Sequence, residues 1–493
     1  MYIIIKEIYI FFLILLTAWM NETLAVLDFC LGIALYYLLF RIIIIYFSRS
    51  AVTQNRLQWI LNCYHLFLLI HSLIFILLLI NIDFDFFKQP GDWYQYHHDG
   101  NSFSNYLKGS AVFSPLVGDA IAYSALIGLI YYFFSSSVLL AVTINIFFVV
   151  TSSIVLYLLV KELFNHRVAK YALYLSMLYP ILFIYEINLW KECFIFFLMT
   201  LGPLVTYRAL SNNRKSDLII TILLYITLYN VRFYLILPLV LYILYHYTFV
   251  NRRLINIFLI IITITGVLSF MKDDVRIINE STFIDYAFIS GISLIDRTNQ
   301  SFNYQVTGLT PFKFIGILVN HWLYYAKRIP LFYSQVWTFE RVYYVPFLSE
   351  KYTINEELWV YNVLSYMNSL FVWVFMFVSL WGFKKFFVDL RKHTAVLWIP
   401  IIIIPLSVAI FSNNQRYMFV LIYSTIPCIS YGLVHCKMYR DYIILSLLLI
   451  ITLILYMNMN TFVFYPIIIV LLFFAANIMV SLFFKRDSLL KHN

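Results

Sequence analysis

Charge is what this sequence has least of. Asp, Glu, Lys and Arg together make up 12% of its 493 residues, whereas 63% are hydrophobic. A soluble chain carries roughly 25% charged and about 45–50% apolar residues, so a water-soluble globular fold is excluded. No fold in water hides that much apolar surface, but a bilayer solvates it. Cysteine is scarce as well. The five, Cys30, Cys63, Cys193, Cys428 and Cys436, lie in or beside apolar runs, with no CxxC and no Cys/His metal spacing. They read as small buried hydrophobes and point to no metal site. There is no Gly-rich phosphate loop, internal repeat or low-complexity run. The apolar N-terminus carries Lys6 and Glu7 but no small-residue cleavage signature, so it reads as a first span and not as a removed signal peptide.

What the chain has in quantity is long apolar runs. A membrane-crossing helix takes about 20 mostly apolar residues. Such stretches occur near 3–20, 24–47, 57–82, 136–160, 168–186, 188–208, 216–230, 233–250, 254–271, 357–383, 394–411, 417–435, 442–458 and 462–484. The net charge of +10 sits mostly in the short connections between them. Arg49 and Arg56, Lys161, Arg167 and Lys170, Arg208, Arg214 and Lys215, and Arg252 and Arg253 form the first clusters. Lys384 to Lys392, Lys437 and Arg440, and Lys485 to Lys491 complete the series. With both termini inside, every cluster falls on the cytoplasmic face, as the positive-inside rule requires. That rule explains the basic balance, and nucleic acid is not an expected partner.

The expected organisation is one all-α polytopic membrane domain with two outer-face elaborations. Residues 1–82 form N-terminal transmembrane helices and 83–134 a first outer loop with juxtamembrane helices. Residues 135–271 form a transmembrane bundle, 272–356 a second outer loop and 357–493 the C-terminal transmembrane helices. Within the loops, 116–134 and 311–329 are apolar enough to lie on or dip into the outer interface.

Chemistry is expected where ionisable groups meet the outer ends of spans, because such groups are costly there and mark sites. The first outer loop packs Asp83, Asp85, Asp92, His97, His98 and Asp99 beside the bilayer. A carboxylate at that edge can act as general base toward an acceptor hydroxyl; the plainer reading is that an aqueous loop needs polar residues. A second group comprises Glu186, Lys191 and Glu192, Arg232 within ITLYNVRFYLILP, and Arg416 after Asn-Asn-Gln. Arginine matches phosphate oxygens in a bidentate fork, so converging cations suit a lipid-linked phosphate. The alternative is side chains snorkelling from hairpin turns to the interface. His65 and His71 lie six residues apart, do not share a helix face, and read as hydrogen-bonded inside the bundle.

In order along the chain, these features resemble the GT-C membrane glycosyltransferases, especially bacterial protein O-mannosyltransferases and lipid A aminoarabinose transferases. The similar stretches are Asp99-Gly-Asn-Ser-Phe103-Ser-Asn-Tyr106-Leu107-Lys-Gly109, Pro115 with 116–134, Lys161-Glu162-Leu163-Phe164-Asn165, Leu178-Tyr179-Pro180, Lys191-Glu192, and Arg416-Tyr417 followed by Pro427. The likeness covers roughly residues 75–435. Two spans precede the family's usual first helix, and Asp99 lacks the acidic neighbour usual there.

The resemblance implies a GT-C-like bundle of about 12–14 transmembrane helices in a bacterial inner membrane, with its active site on the periplasmic face. It implies inverting transfer from a polyprenyl-phosphate-linked sugar to a glycan, lipid or protein acceptor, with no metal or cofactor. Asp99 is then the catalytic base, and His97, His98, Lys191, Glu192, Arg232, Arg416 and Tyr417 bind substrate. Two other readings stand beside it. An O-antigen or capsule polymerase or ligase also has many spans and large outer loops, but leans on Arg and His instead of one Asp. A transporter or lipid-glycan flippase calls for inverted repeats and mid-bilayer charges, neither of which stands out.

Overall fold

The computed structural model describes residues 26–49, 53–81, 92–110, 121–134, 136–212, 215–232, 235–250, 359–390, 392, 394–411 and 419–435. Among the described residues there are thirteen α-helices and no strand. They are α1 (Val26–Arg49), α2 (Gln54–Asn81), α3 (Asp92–Leu107), α4 (Ile121–Phe133), α5 (Val138–Leu163), α6 (His166–Met177) and α7 (Pro180–Glu186). The series continues with α8 (Glu192–Asn212), α9 (Lys215–Arg232), α10 (Ile236–Tyr245), α11 (Trp359–Val388), α12 (Ala395–Phe411) and α13 (Ile422–His435). The spans expected at 3–20, 254–271, 442–458 and 462–484, and the second outer loop, lie outside the described residues.

Four of these helices are long and apolar enough to cross a membrane: Cys30–Arg49, Gln54–Leu79, Val138–Leu163 and Glu192–Ser211. A fifth is added if α6 and α7 count as one bent span. In hydrocarbon a spanning backbone satisfies its own polar groups, and the helix does this locally. Leu31, Leu35, Leu38, Leu39 and Ile42 of α1 and Leu218, Ile219, Ile222, Leu223 and Ile226 of α9 stay exposed. Such apolar stripes suit acyl chains and would not suit water.

The chain divides into two units, Met1–Ile236 with Glu340–Gly382 and Ile422–Leu447, and Leu237–Phe339 with Phe383–Leu421 and Leu448–Asn493. In the first unit α5 is the central element. Every side chain from Leu139 to Val160 is buried, and α1, α2, α6, α7 and α8 all pack on it. Ser137 starts α5 by accepting from the Leu140 N–H at 3.2 Å, and Asn165 starts α6 by accepting from Val168 at 3.0 Å. These side chains take up amide protons that the first turn leaves unpaired. In the second unit the Thr394 hydroxyl donates to the carbonyl oxygens of Phe386 and Leu390, both at 2.9 Å, and Trp398 packs edge-on against Phe387 and Tyr245.

The stretch expected as one span over 168–186 is broken. α6 ends at Met177, Pro180 opens α7, and the two axes differ by 48°. Proline lacks the amide proton that would continue the ladder, and its ring pushes the preceding residue out of helical geometry. The sixth stretch shifts as well. Residues 188–191 are a turn, and α8 begins at Glu192. Within the first outer loop, Asp92–Leu107 is a helix, and it packs along α4.

Several basic residues meet at one end of the spans. At one end, Arg208 of α8 donates through Nε to Glu162 of α5 at 2.9 Å and through a terminal nitrogen to the Phe47 carbonyl of α1 at 2.9 Å. Arg56 and Lys161 lie within electrostatic reach of this group. Trp59 of α2 meets Tyr157 and His166 there. Arg56 of α2, Lys161 of α5 and Arg208 of α8 thus come together at one end.

Helices approach most closely at glycines. A Cβ on Gly382 of α11 would stand 2.1 Å from the Cys428 carbonyl oxygen of α13, and one on Gly432 would stand 2.5 Å from Val378. Between α3 and α4, a Cβ on Gly128 of α4 would meet Phe103 at 2.7 Å and the Gly100 carbonyl at 2.9 Å. Small residues at such crossings let backbones pack without a hydrophobic driving force. Gly128→Val is therefore expected to force α3 and α4 apart at a cost of about 1–3 kcal/mol. Thermal unfolding in detergent checks it, and an unchanged midpoint would contradict this packing.

Candidate functional site

The hairpin of α3 and α4 carries the candidate base. His97 of α3 contacts the Tyr131 hydroxyl of α4 through Nδ1 at 2.8 Å, and its Nε2 lies 3.1 Å from the Asn101 amide nitrogen. Asn101 in turn takes a hydrogen bond from Ser136, just before α5. Lys108 closes the hairpin by donating to the Tyr131 carbonyl at 2.9 Å. Burial pushes the His97 pKa down, and neighbouring His98 adds to that. Both ring nitrogens of His97 are committed to the hairpin. His98 is exposed, and its ring lies along that of Tyr94.

Asp99 follows, partly exposed. Burial raises its carboxyl pKa above the ordinary range, and His98 beside it works against that shift. Three residues earlier on α3, and so one turn away on a neighbouring face, Tyr96 is buried. The Lys191 ammonium stands 5.9 Å from the Tyr96 ring centroid, a cation–π contact. Tyr96 meets Tyr123 of α4 edge-on at 5.2 Å, and Tyr123 packs on Phe194 of α8 at 6.0 Å.

Beneath the hairpin, the turn between α7 and α8 presents Lys191 and Glu192. Both are buried, 4% and 2% exposed, which rules out side chains reaching from a turn into water. Glu192 accepts from Arg232, the last residue of α9, at 3.3 Å, with both side chains at or below 5% exposure. Arg232, expected to meet a lipid phosphate, therefore has its charge balanced inside the protein. The Tyr123 hydroxyl, within electrostatic reach of Glu192, is buried and has no hydrogen-bond partner among the described residues.

Asp99, His97, His98, Lys191, Glu192 and Arg232 all belong to the first unit. Tyr96 joins the helix of Asp99 to Lys191, and Glu192 joins Lys191's turn to Arg232. Arg416 and Tyr417 lie outside the described residues, as do the side chain of Asp92 and all of Asp83 and Asp85. Among the described residues no three His, Cys, Asp or Glu side chains converge as metal ligands would.

Other residues enter the site that sequence reasoning did not assign to it. Tyr96, Tyr123 and Tyr131 carry the aromatic contacts, and in so aromatic a chain nothing sets them apart. Asn145 was legible as a lone amide in the apolar run of α5. It donates to the Asn188 carbonyl at 2.6 Å and so holds the turn before Lys191. Searches against family models, curated proteins and solved structures give no match. The geometry of these side chains therefore carries the functional argument.

Removing one partner of a buried ion pair strands a charge, whereas removing both does not. Arg232→Met is expected to cost about 3–5 kcal/mol of stability, and Arg232→Met with Glu192→Leu to cost less than the single change. Unfolding midpoints of the two variants decide it; equal losses would mean that the pair is not coupled.

Proposed function

We propose that this protein is a membrane glycosyltransferase of the GT-C kind, moving a sugar from a polyprenyl-phosphate donor to an acceptor hydroxyl at the outer face. The observation that carries the reading is the contact between Lys191 and Tyr96, one helical turn from Asp99. It puts a buried cation and a partly exposed carboxylate of raised pKa at one end of one helical unit, which is the pair of charges such a transfer uses.

In this reading Asp99 accepts the acceptor's hydroxyl proton as that oxygen attacks C1 of the sugar. The bond from C1 to the phosphate oxygen breaks, and its electrons leave with the lipid phosphate. Lys191 offsets the negative charge that grows on the phosphate, the kind of prearranged electrostatic help that dominates many active sites. Arg232 also has a structural task. Paired with Glu192, it fixes the start of α8 and hence the turn that holds Lys191. His97 holds the hairpin, and the exposed His98 is available to a sugar hydroxyl. Arg416 and Tyr417 remain as further phosphate-side residues on the strength of the sequence. The reading places the site at the outer face of a bacterial inner membrane, with the basic clusters of the sequence on the cytoplasmic side.

A raised pKa makes Asp99 a stronger base once ionised, and the ionised form is the competent one. The acid limb of the rate profile is therefore expected above the usual aspartate value of about 4. With purified protein and a lipid-phosphate sugar, Asp99→Asn is expected to lower kcat by about 10²–10⁴-fold. Full transfer by Asp99→Asn would defeat the base assignment. Retention by Asp99→Asn together with loss in Arg416→Ala would favour a polymerase or ligase acting on a lipid pyrophosphate.

A further inference from the structure

Deep in the first unit, His71 of α2 is wholly buried and makes two hydrogen bonds to one short piece of chain. Its Nε2 lies 2.9 Å from the carbonyl oxygen of Met177, the last residue of α6. Its Nδ1 lies 2.6 Å from Oε1 of Glu186, the last residue of α7. The two contacts bracket the Pro180 break and the whole of α7. They clamp both ends of the segment that delivers the Lys191–Glu192 turn.

The chemistry of the two contacts fixes a proton count. A carbonyl oxygen only accepts, so Nε2 carries a hydrogen. Nδ1 and Oε1 at 2.6 Å must then share one more, either as imidazolium with carboxylate or as neutral imidazole with carboxylic acid. Both forms are neutral overall, which suits a site with 0% and 1% side-chain exposure. Without that proton the neutral imidazole would have one N–H for two acceptors, so one contact would set lone pairs against each other and the pair would carry a negative charge.

The surroundings offer little to replace it. From α5 comes the uncharged Asn145, which donates to the Asn188 carbonyl at 2.6 Å and more weakly to that of Glu186 at 3.5 Å. From α8, the Cys193 thiol faces both Glu186 and Glu192, and neither carboxylate favours a further negative charge. α6 contributes the Met177 carbonyl, α7 the Phe183 ring at 4.5 Å, and α2 itself Ser72. No hydrogen-bond donor to Glu186 Oε2 occurs among the described residues.

We propose that His71 and Glu186 form a one-proton latch that positions Lys191 and Glu192 by fixing α7 between its two ends. The shared proton and the Met177 contact together keep the latch closed. His71 is thus a positioning residue. Its link to transfer rests on the function proposed above, but the latch itself does not, and the test is chosen accordingly.

Hydrogen–deuterium exchange over residues 178–191 of the intact protein in detergent, expressed as protection relative to unstructured chain, reads the latch without any assay of transfer. In the wild-type protein this segment is expected to be protected at least tenfold more than in His71→Phe, while α5 stays equally protected in both, which separates loss of the latch from loss of the fold. Glu186→Gln supplies an amide hydrogen where the shared proton lies, so its protection is expected to stay close to wild type. Wild-type protection in His71→Phe, or a loss in Glu186→Gln as large as in His71→Phe, overturns the proposal. Failure of the transfer reading would show instead as unaltered activity in Asp99→Asn and would leave these exchange results as they are.

Discussion

A charge withdrawn from water has to meet its opposite inside the protein, because the hydrocarbon around a spanning helix solvates no ion. Three pairs in the first unit answer that demand at three places. Arg208 with Glu162 ties α8 to α5 at the basic end. Arg232 with Glu192 ties α9 to α8 at the other. His71 with Glu186 ties α2 to α7 between them. Two of the three join helices that are not consecutive, so the apolar helices, which slide on one another with little preference, acquire a definite register. The aromatic contacts and glycine crossings then pack around helices whose positions these pairs have set.

Much of the helical content was open to reading because a span is a local property. Hydropathy finds α1, α2, α5 and α8 within a few residues, since each needs only its own apolar run. The break at Pro180 was visible as a residue but hidden in the average, because a hydropathy window scores proline by polarity and ignores its missing amide proton. α3 was read as loop for the complementary reason. Its polar sequence, Asp92 to Leu107, gives no apolar run, and it is ordered by α4 lying against Gly100 and Phe103.

The site was legible in its members and not in its pairings. Lys191, Glu192 and Arg232 stand out as ions in apolar surroundings, but nothing in the spacing tells which cation meets which carboxylate. Arg232 and Glu192 are 40 positions apart, and His71 and Glu186 are 115 apart. Only packing settles such matches, and here it pairs Arg232 with Glu192. His71 was read as an interior hydrogen-bonding residue, which it is; that both of its bonds end on the α6–α7 segment required the fold.

One helix of the α3–α4 hairpin has two faces with separate duties. Tyr96, Gly100 and Ser104 of α3 are buried and His97 is tied to Tyr131, whereas Tyr94, Gln95, His98 and Tyr106 are exposed. Asp99 sits on the border between them. Change on the inner face disturbs the seating of the hairpin itself, while change on the outer face alters only what a bound molecule would touch. Substitutions that leave the hairpin seated would therefore recur along α3 in a rhythm of three and four, with the inner positions silent.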